Sequence, residues 1–140
     1  MSAHIEIHGL ASGEATVAAP DCRAGGRQVA DVGTVVPGRE GAAVHFGELL
    51  DGFEPIEGAT HVTLESADGW SASLGIDEVR EGWLVFEHEG QPLEPSRGGP
   101  FRLYLPEQRD ACANIKQLAR ITFACEAGRD TRPPVDERAC

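Results

Sequence analysis

The sequence lacks the cysteine spacings that mark zinc and redox sites. Its four cysteines, Cys22, Cys112, Cys125 and Cys140, are widely scattered, with no Cys-x-x-Cys pair and no Cys/His pair at zinc-finger spacing. No window approaches the roughly 18 uninterrupted apolar residues of a membrane helix, and "MSAHIEIHGL" has neither the basic stretch nor the apolar core of a secretory signal. These absences favour structural thiols over a metal site and predict a cytoplasmic chain without membrane insertion.

Basic residues are also scarce. The chain has 12 Lys and Arg against 23 Asp and Glu, for a formal net charge of -11. This disfavours binding to nucleic acid or to an anionic membrane, because both depend on Lys and Arg that neutralise phosphates. An anionic ligand must therefore find a local cluster of cations. Nucleophile-elbow, P-loop, dinucleotide-fingerprint and HExxH motifs are all missing.

The length of 140 residues suits one domain. Hydrophobic residues make up 41% and charged residues 25%, which is ordinary for a globular protein. The last segment, "EAGRDTRPPVDERAC", has almost nothing to bury. We expect a single domain over residues 1–125 and a mobile polar tail over residues 126–140.

Alternation of apolar and polar residues predicts a fold rich in strands. "HIEIHGL" has the period of a half-buried strand, and Asp68-Gly69 predicts a hairpin turn inside "THVTLESADGWSASLG". "AVHFGELLDGF" reads as a strand that turns into a short helix ending near Gly52, and "IDEV" as a helical turn capped by Asp77. The predicted class is α+β, a mixed-sheet or barrel-like domain with short helices.

The stretch "GGPFRLYLP" is the most informative local pattern. Its apolar residues alternate with Arg102 and Tyr104, which predicts a strand whose basic side chain faces away from the core. Arg97 and Lys116 fall in the loops on either side, with Asn114 beside Lys116. Such cations beside flexible glycines would form a selective anion pocket in an acidic chain. The alternative is that they pair with surface carboxylates.

The order of motifs in the second half of the chain resembles the oxidoreductase molybdopterin-binding domain, the fold shared by sulfite oxidase, plant nitrate reductase and the periplasmic methionine sulfoxide reductase catalytic subunit. The resemblance covers most of the chain and is specific from Trp83 to Phe123. Upstream, "VHFGELLDGF" and "SADGWSASLGIDEV" are similar to the family's helix and aromatic strand. The matching segments are Glu89-Gly90-Gln91-Pro92-Leu93, Gly98-Gly99-Pro100-Phe101-Arg102 and Asn114-Ile115-Lys116.

The resemblance implies a sulfite-oxidase-like fold and binding of molybdopterin, the organic part of the molybdenum cofactor. The phosphate or pyrophosphate of the pterin would be held by Arg97, Arg102, Asn114 and Lys116. The implied activity is a redox reaction on a small oxyanion or sulfoxide, with the electron-transfer partner unidentified. Trp70 and Trp83 would pack in the core beneath the phosphate.

Two departures from the family pattern leave the activity open. Arg97 stands where the family has a histidine, and residues 28–41, which correspond to the loop with the molybdenum-ligating cysteine, contain no cysteine. Cys22 precedes that loop and is the remaining candidate metal ligand. The chain is then either a redox enzyme with Cys22 near the metal or a degenerate, non-catalytic member that acts as a binding or scaffold module. A third possibility is an acidic protein whose exposed face binds a cationic partner.

Overall fold

The structure is a computed structural model that describes residues 4–36, 40–105 and 115–126. Two β-sheets contain most of the ordered elements. The strands are β1 His4–Leu10, β2 Gly13–Ala18, β3 Gln28–Val29, β4 Ala42–His45, β5 His61–Ser66, β6 Ser71–Gly75, β7 Trp83–His88, β8 Gln91–Pro92, β9 Arg102–Tyr104 and β10 Leu118–Ala124. The short helices are α1 Ala19–Ala24, α2 Phe46–Leu50 and α3 Ile76–Val79, with 3₁₀ turns at Val32–Thr34 and Pro95–Arg97.

The first sheet, called the β1 sheet, has the order β2-β1-β10-β5-β6. β1 and β10 run parallel, whereas the other neighbours are antiparallel. The alternation in "HIEIHGL" places Ile5 and Ile7 in the interior with no exposed surface. The predicted first strand and the predicted hairpin at Asp68-Gly69 are both confirmed, since β5 and β6 pair across that turn.

The second sheet, called the β7 sheet, is built around β7. β4 pairs with one edge of β7 and with β3, and the other edge pairs with both β8 and β9. β9 lies against the first half of β7, with Arg102 opposite Val85 and Tyr104 opposite Trp83. This pairing aligns β9 with β7 and fixes the direction of its side chains.

The main core lies between the inward faces of the two sheets. It joins Ile121 and Leu64 of the β1 sheet to Leu84 and Leu103 of the β7 sheet, with Phe46 of α2 among them. Burying one such side chain contributes about 1.5–3 kcal/mol, so this cluster is the main source of stability. The other face of the β7 sheet carries a smaller buried cluster, which consists of Val32, Ala43, Trp83, Val85, Leu93 and Tyr104.

The short helices begin where side chains or turns satisfy their first amides. The Nδ1 atom of His45 accepts the amide of Glu48 at 3.3 Å and starts α2, which ends at Leu50, just before the predicted Gly52. The prediction that Asp77 caps α3 is wrong. The cap is Gly75, whose amide donates to the carboxylate of Glu78 at 3.4 Å, and Asp77 lies within the first turn.

The architecture confirms the predicted α+β class, a strand-rich domain of mixed sheets with small helices. The predicted tail, apart from Glu126, lies outside the described residues. Within the described part of the chain, the helices are too short and too polar to cross a membrane.

Candidate functional site

The glycine pair that precedes β9 is required by a close approach of two backbones. The 3₁₀ turn Pro95–Arg97 ends at Gly98 with φ 88°, a left-handed conformation that favours glycine. At Gly99 an added Cβ would lie 1.9 Å from the carbonyl oxygen of Leu93, so no other residue fits without movement of the backbone. The amide of Gly99 donates to the carbonyl of Glu94 at 2.9 Å. The turn therefore holds the start of β9 close to Leu93 and Glu94, the residues that follow β8.

Residues 115–118 lie alongside the turn and β9. Leu103 and Ile115 exchange two backbone hydrogen bonds of 2.9 and 3.0 Å, and the amide of Gln117 donates to the carbonyl of Gly98 at 2.7 Å. In an antiparallel pair, the residues next to a doubly bonded pair are also opposite each other, with their side chains on one face. Arg102 and Lys116 are those residues.

The structure therefore brings Arg102 and Lys116 together, and these two residues are called the cation pair below. A Cβ built on Gly98 would lie 2.7 Å from Cδ of Arg102 and 3.2 Å from Cγ of Lys116. Both side chains thus pass over the same glycine. A larger residue at position 98 would push them apart, so the glycine permits their approach.

The guanidinium of Arg102 is held from two sides. Its Nη1 atom donates to the backbone carbonyl of Arg97 at 3.3 Å, and its Cζ atom lies 4.9 Å from the centre of the Tyr104 ring. A guanidinium over an aromatic face is stabilised by the ring quadrupole. Tyr104 is buried and opposite Trp83. The contacts to a carbonyl and a rigid ring keep the guanidinium on the outer face of the β7 sheet.

The two positive charges of the cation pair repel each other, and an anionic ligand between them would reduce that repulsion. Like charges directly opposite each other on neighbouring strands destabilise a sheet. Lys116 is exposed and forms no ion pair with any carboxylate in the described parts of the chain. The planar guanidinium of Arg102 and the exposed side chain of Lys116 both lie beside Gly98. Together they can donate hydrogen bonds to the oxygens of a phosphate. The arrangement can therefore bind an anion without burying an unpaired charge.

Arg97 contributes its backbone to this site, while its side chain turns elsewhere. Its Nη1 atom lies 3.2 Å from Oε2 of Glu40, and the same oxygen lies 3.2 Å from Nε2 of His88. The alternative reading, in which a cation pairs with a surface carboxylate, applies to the side chain of Arg97. The guanidinium of Arg97 is thus engaged by the carboxylate of Glu40.

Three further residues that the sequence analysis named near the phosphate are Asn114, Trp83 and Trp70. Asn114 lies outside the described residues, so its predicted contact stays a prediction. Trp83 packs beside Tyr104 in the smaller cluster of the β7 sheet. Trp70 packs against the main core from the end of the β5–β6 hairpin, in the other sheet. The two tryptophans therefore occupy different sheets.

Cys22, the candidate metal ligand, lies in α1 with no exposed surface. Burial raises the pKa of its thiol to about 12, with a further contribution from Asp21, so the thiol stays protonated at neutral pH. Cys125 is exposed but follows the far end of β10, about 25–30 Å from Lys116 at the usual rise of a strand. Among the described residues, no three His, Cys, Asp or Glu side chains converge as a metal site.

Three side chains around the site were given no role in it by the sequence analysis. Tyr104 could have been found, because it follows Arg102 by two residues and so shares its face of the strand. Glu40 and His88 could not, since the contacts of Glu40 with Arg97 and with His88 join distant parts of the chain. No local pattern in the sequence marks those contacts.

The sequence matches a known protein family over the segments that form the cation pair. Residues 39–131 match the family model of the oxidoreductase molybdopterin-binding domain. The chain belongs to this family. The match includes the turn at Gly98, β9 and the segment that carries Lys116, which are the elements that form the cation pair.

Two known proteins are similar to this chain. It is 34% identical to a nitrate reductase [NADPH] of Fusarium oxysporum over 92 residues, which cover 59% of this chain and 10% of that protein. The chain thus spans only a small part of the curated relative it matches. The sulfane dehydrogenase SoxCD of Paracoccus pantotrophus has the same fold, with a TM-score of 0.66 and 17% identity over 89% of this chain and 39% of the other.

Family membership implies the molybdenum cofactor as the ligand of this domain, and the described residues fit one end of it. The cation pair and the close-packed glycines suit a phosphate group. The metal end is different, since a soft oxo-metal centre calls for a thiolate and the buried, protonated Cys22 does not offer one.

Proposed function

We propose that this domain binds the molybdenum cofactor by its terminal phosphate, with Arg102 and Lys116 as the two cations that hold it. The observation that carries the proposal is the meeting of both side chains over Gly98. A bound phosphate places negative charge between two like charges that otherwise repel, so binding gains both attraction and relief of repulsion. When bound, the cofactor supplies the oxo-transfer redox chemistry of the family.

The contacts around Arg102 support selective binding of a phosphate. The carbonyl of Arg97 and the ring of Tyr104 fix the orientation of the Arg102 guanidinium before any ligand arrives. A preorganised fork loses less side-chain entropy on binding than a mobile one. Lys116 is exposed and can adjust to the anion. One rigid and one adaptable cation suit a tetrahedral phosphate at the rim of a domain.

The burial of Cys22 favours a second candidate function. If its thiol does not reach the metal, the domain would act as a non-catalytic module that binds the cofactor or serves as a scaffold. A catalytic role on a small oxyanion or sulfoxide would need a thiolate from another part of the protein, because Cys22 is enclosed among core side chains.

Expression in a host that makes the cofactor tests the proposal. The purified protein is assayed for molybdenum by elemental analysis and for pterin by fluorescence after oxidation. We expect about one pterin per chain, and we expect Arg102→Gln to lose most of it. Arg120→Gln is the matched control, because Arg120 lies on β10 and its Nη2 atom pairs with Glu6 at 3.8 Å. Protein without pterin or molybdenum would reject the proposal.

The Cys22→Ala variant separates the two candidates. Pterin retention at the wild-type level, with no redox activity in either protein, supports the non-catalytic module. A redox activity that wild type has and Cys22→Ala lacks would dispose of that candidate and establish Cys22 as part of a catalytic centre.

A further inference from the structure

The side chain of Glu40 engages the guanidinium of Arg97, the residue that precedes Gly98. Its Oε2 atom lies 3.2 Å from Nη1 of Arg97 and 3.2 Å from Nε2 of His88. Arg97 immediately precedes Gly98, and its carbonyl accepts a hydrogen bond from Arg102. A third cation is therefore attached to the wall of the anion site, but its charge is engaged by a carboxylate from another segment of the chain.

We propose that Glu40 is an internal competitor that holds Arg97 out of the anion site and so limits that site to two cations. The inference rests on the proposed function, since it assigns Glu40 a role in the affinity of the same site. A carboxylate that accepts from a guanidinium occupies the same donor groups that a phosphate oxygen would use. Removing the carboxylate makes those donors available.

The geometry around Arg97 supports this role. Arg97 has 47% of its side chain exposed and Glu40 has 64%, so neither is fixed by packing. A recess of about 180 Å³ opens beside Arg97 and is lined by His88, Glu89, Gln91, Pro92 and Glu94. Arg97 therefore borders open space rather than close-packed side chains. Exposed ion pairs are weak, so we expect a modest gain in affinity rather than a large one.

The test is the affinity for inorganic pyrophosphate, measured by isothermal titration calorimetry on the full chain. Glu40→Gln is expected to tighten binding by about two- to fivefold, since an exposed pair is worth at most about 1 kcal/mol. Glu94→Gln is the matched control. Glu94 lines the same recess and carries the same charge, but its carboxylate accepts from the hydroxyl of Ser96 at 3.4 Å and forms no ion pair with Arg97.

The double variant Glu40→Gln/Arg97→Gln identifies the cation involved. If Glu40 acts by holding Arg97, the gain seen in Glu40→Gln disappears in the double variant. An equal gain in Glu94→Gln, or a gain that survives the loss of Arg97, would show a general effect of charge and overturn the inference. Glu40→Ala provides a second variant with the same expected gain, should Glu40→Gln fold poorly.

The outcomes also separate this inference from the proposed function. Binding that wild type shows, that Arg102→Gln loses and that Glu40→Gln leaves unchanged would overturn the role of Glu40 while the anion site stands. Absence of binding in wild type, Glu40→Gln and Glu40→Ala alike would overturn both. Binding that appears only after Glu40 is replaced would support the competitor role most strongly.

Discussion

Arg102 and Lys116 face each other across an antiparallel backbone pairing, and both side chains pass over Gly98. Like charges that lie opposite each other repel, and in the proposed function this repulsion is offset by a bound anion. A site of this kind would lower the stability of the folded protein in return for affinity. The following predictions separate those two effects.

The first prediction concerns the repulsion within the cation pair. Lys116→Gln is expected to raise the free energy of unfolding by about 0.2–1 kcal/mol, because it removes a like charge opposite Arg102. The same variant is expected to weaken pyrophosphate binding. Chemical denaturation and calorimetry on one preparation measure both quantities.

Arg120→Gln is the control for that prediction. Arg120 lies on β10, close to Lys116 in sequence, but pairs with the carboxylate of Glu6, so its removal offers no relief of repulsion. We expect its stability to stay equal to wild type or fall slightly, with pyrophosphate affinity retained. A Lys116→Gln protein that is less stable than wild type would contradict the idea of a strained pair.

The second prediction concerns salt. Because Lys116 is exposed, attraction between the cation pair and a phosphate is screened by dissolved ions. Pyrophosphate affinity should fall several-fold when the concentration of sodium chloride rises from about 0.05 to about 0.5 M. Titration calorimetry across this range measures the effect. An affinity that does not depend on salt would mean that charge contributes little to binding.

The third prediction concerns the backbone at Gly99. Gly99→Ala is expected to lower the free energy of unfolding by about 1–3 kcal/mol, because the new methyl group would meet the backbone carbonyl of Leu93. Gly52→Ala is the control, since an added Cβ there has ordinary contact, 3.4 Å from the oxygen of Leu49. Denaturant unfolding compares them. Equal stability of the two variants would contradict the close approach at Gly99.

The fourth prediction concerns Cys22. Since burial raises the pKa of its thiol from 9.0 to about 12, the folded state keeps a proton that the unfolded state loses at high pH. The contribution to stability is therefore intact below pH 9.0 and is lost progressively between pH 9.0 and about 12. Denaturant unfolding across this range should show a smaller loss of stability in Cys22→Ala than in wild type.

Alkylation measures the same environment directly. At pH 8, iodoacetamide should modify Cys22 at least ~100-fold more slowly than a thiol of ordinary pKa, and peptide mass spectrometry can follow the site. Rapid modification of Cys22 in the folded protein would show an accessible thiolate and restore it as a candidate metal ligand.

Local patterns in the sequence predicted the strand and the turn that carry the site. They could not predict contacts between segments that are distant in the chain. The alternation in "FRLYLP" predicts that Arg102 and Tyr104 share the face away from the core, and the stacking of their side chains follows from it. The pairing of Arg97 with Glu40 depends on how two loops meet, which no periodicity encodes. The cap was wrongly predicted at Asp77 for a local reason, because the amide of Gly75 donates to the carboxylate of Glu78 and the helix begins before Asp77.

The central claim is that Arg102 and Lys116 bind one anion together, and a double-mutant cycle on pyrophosphate affinity tests it most directly. We expect Arg102→Gln and Lys116→Gln each to weaken binding by about tenfold or more, as for hydrogen bonds to charged groups. The double variant should lose less than the product of the two single losses, because the residues act on a common ligand. Losses that multiply as independent effects, or single variants that bind as tightly as wild type, would contradict the claim.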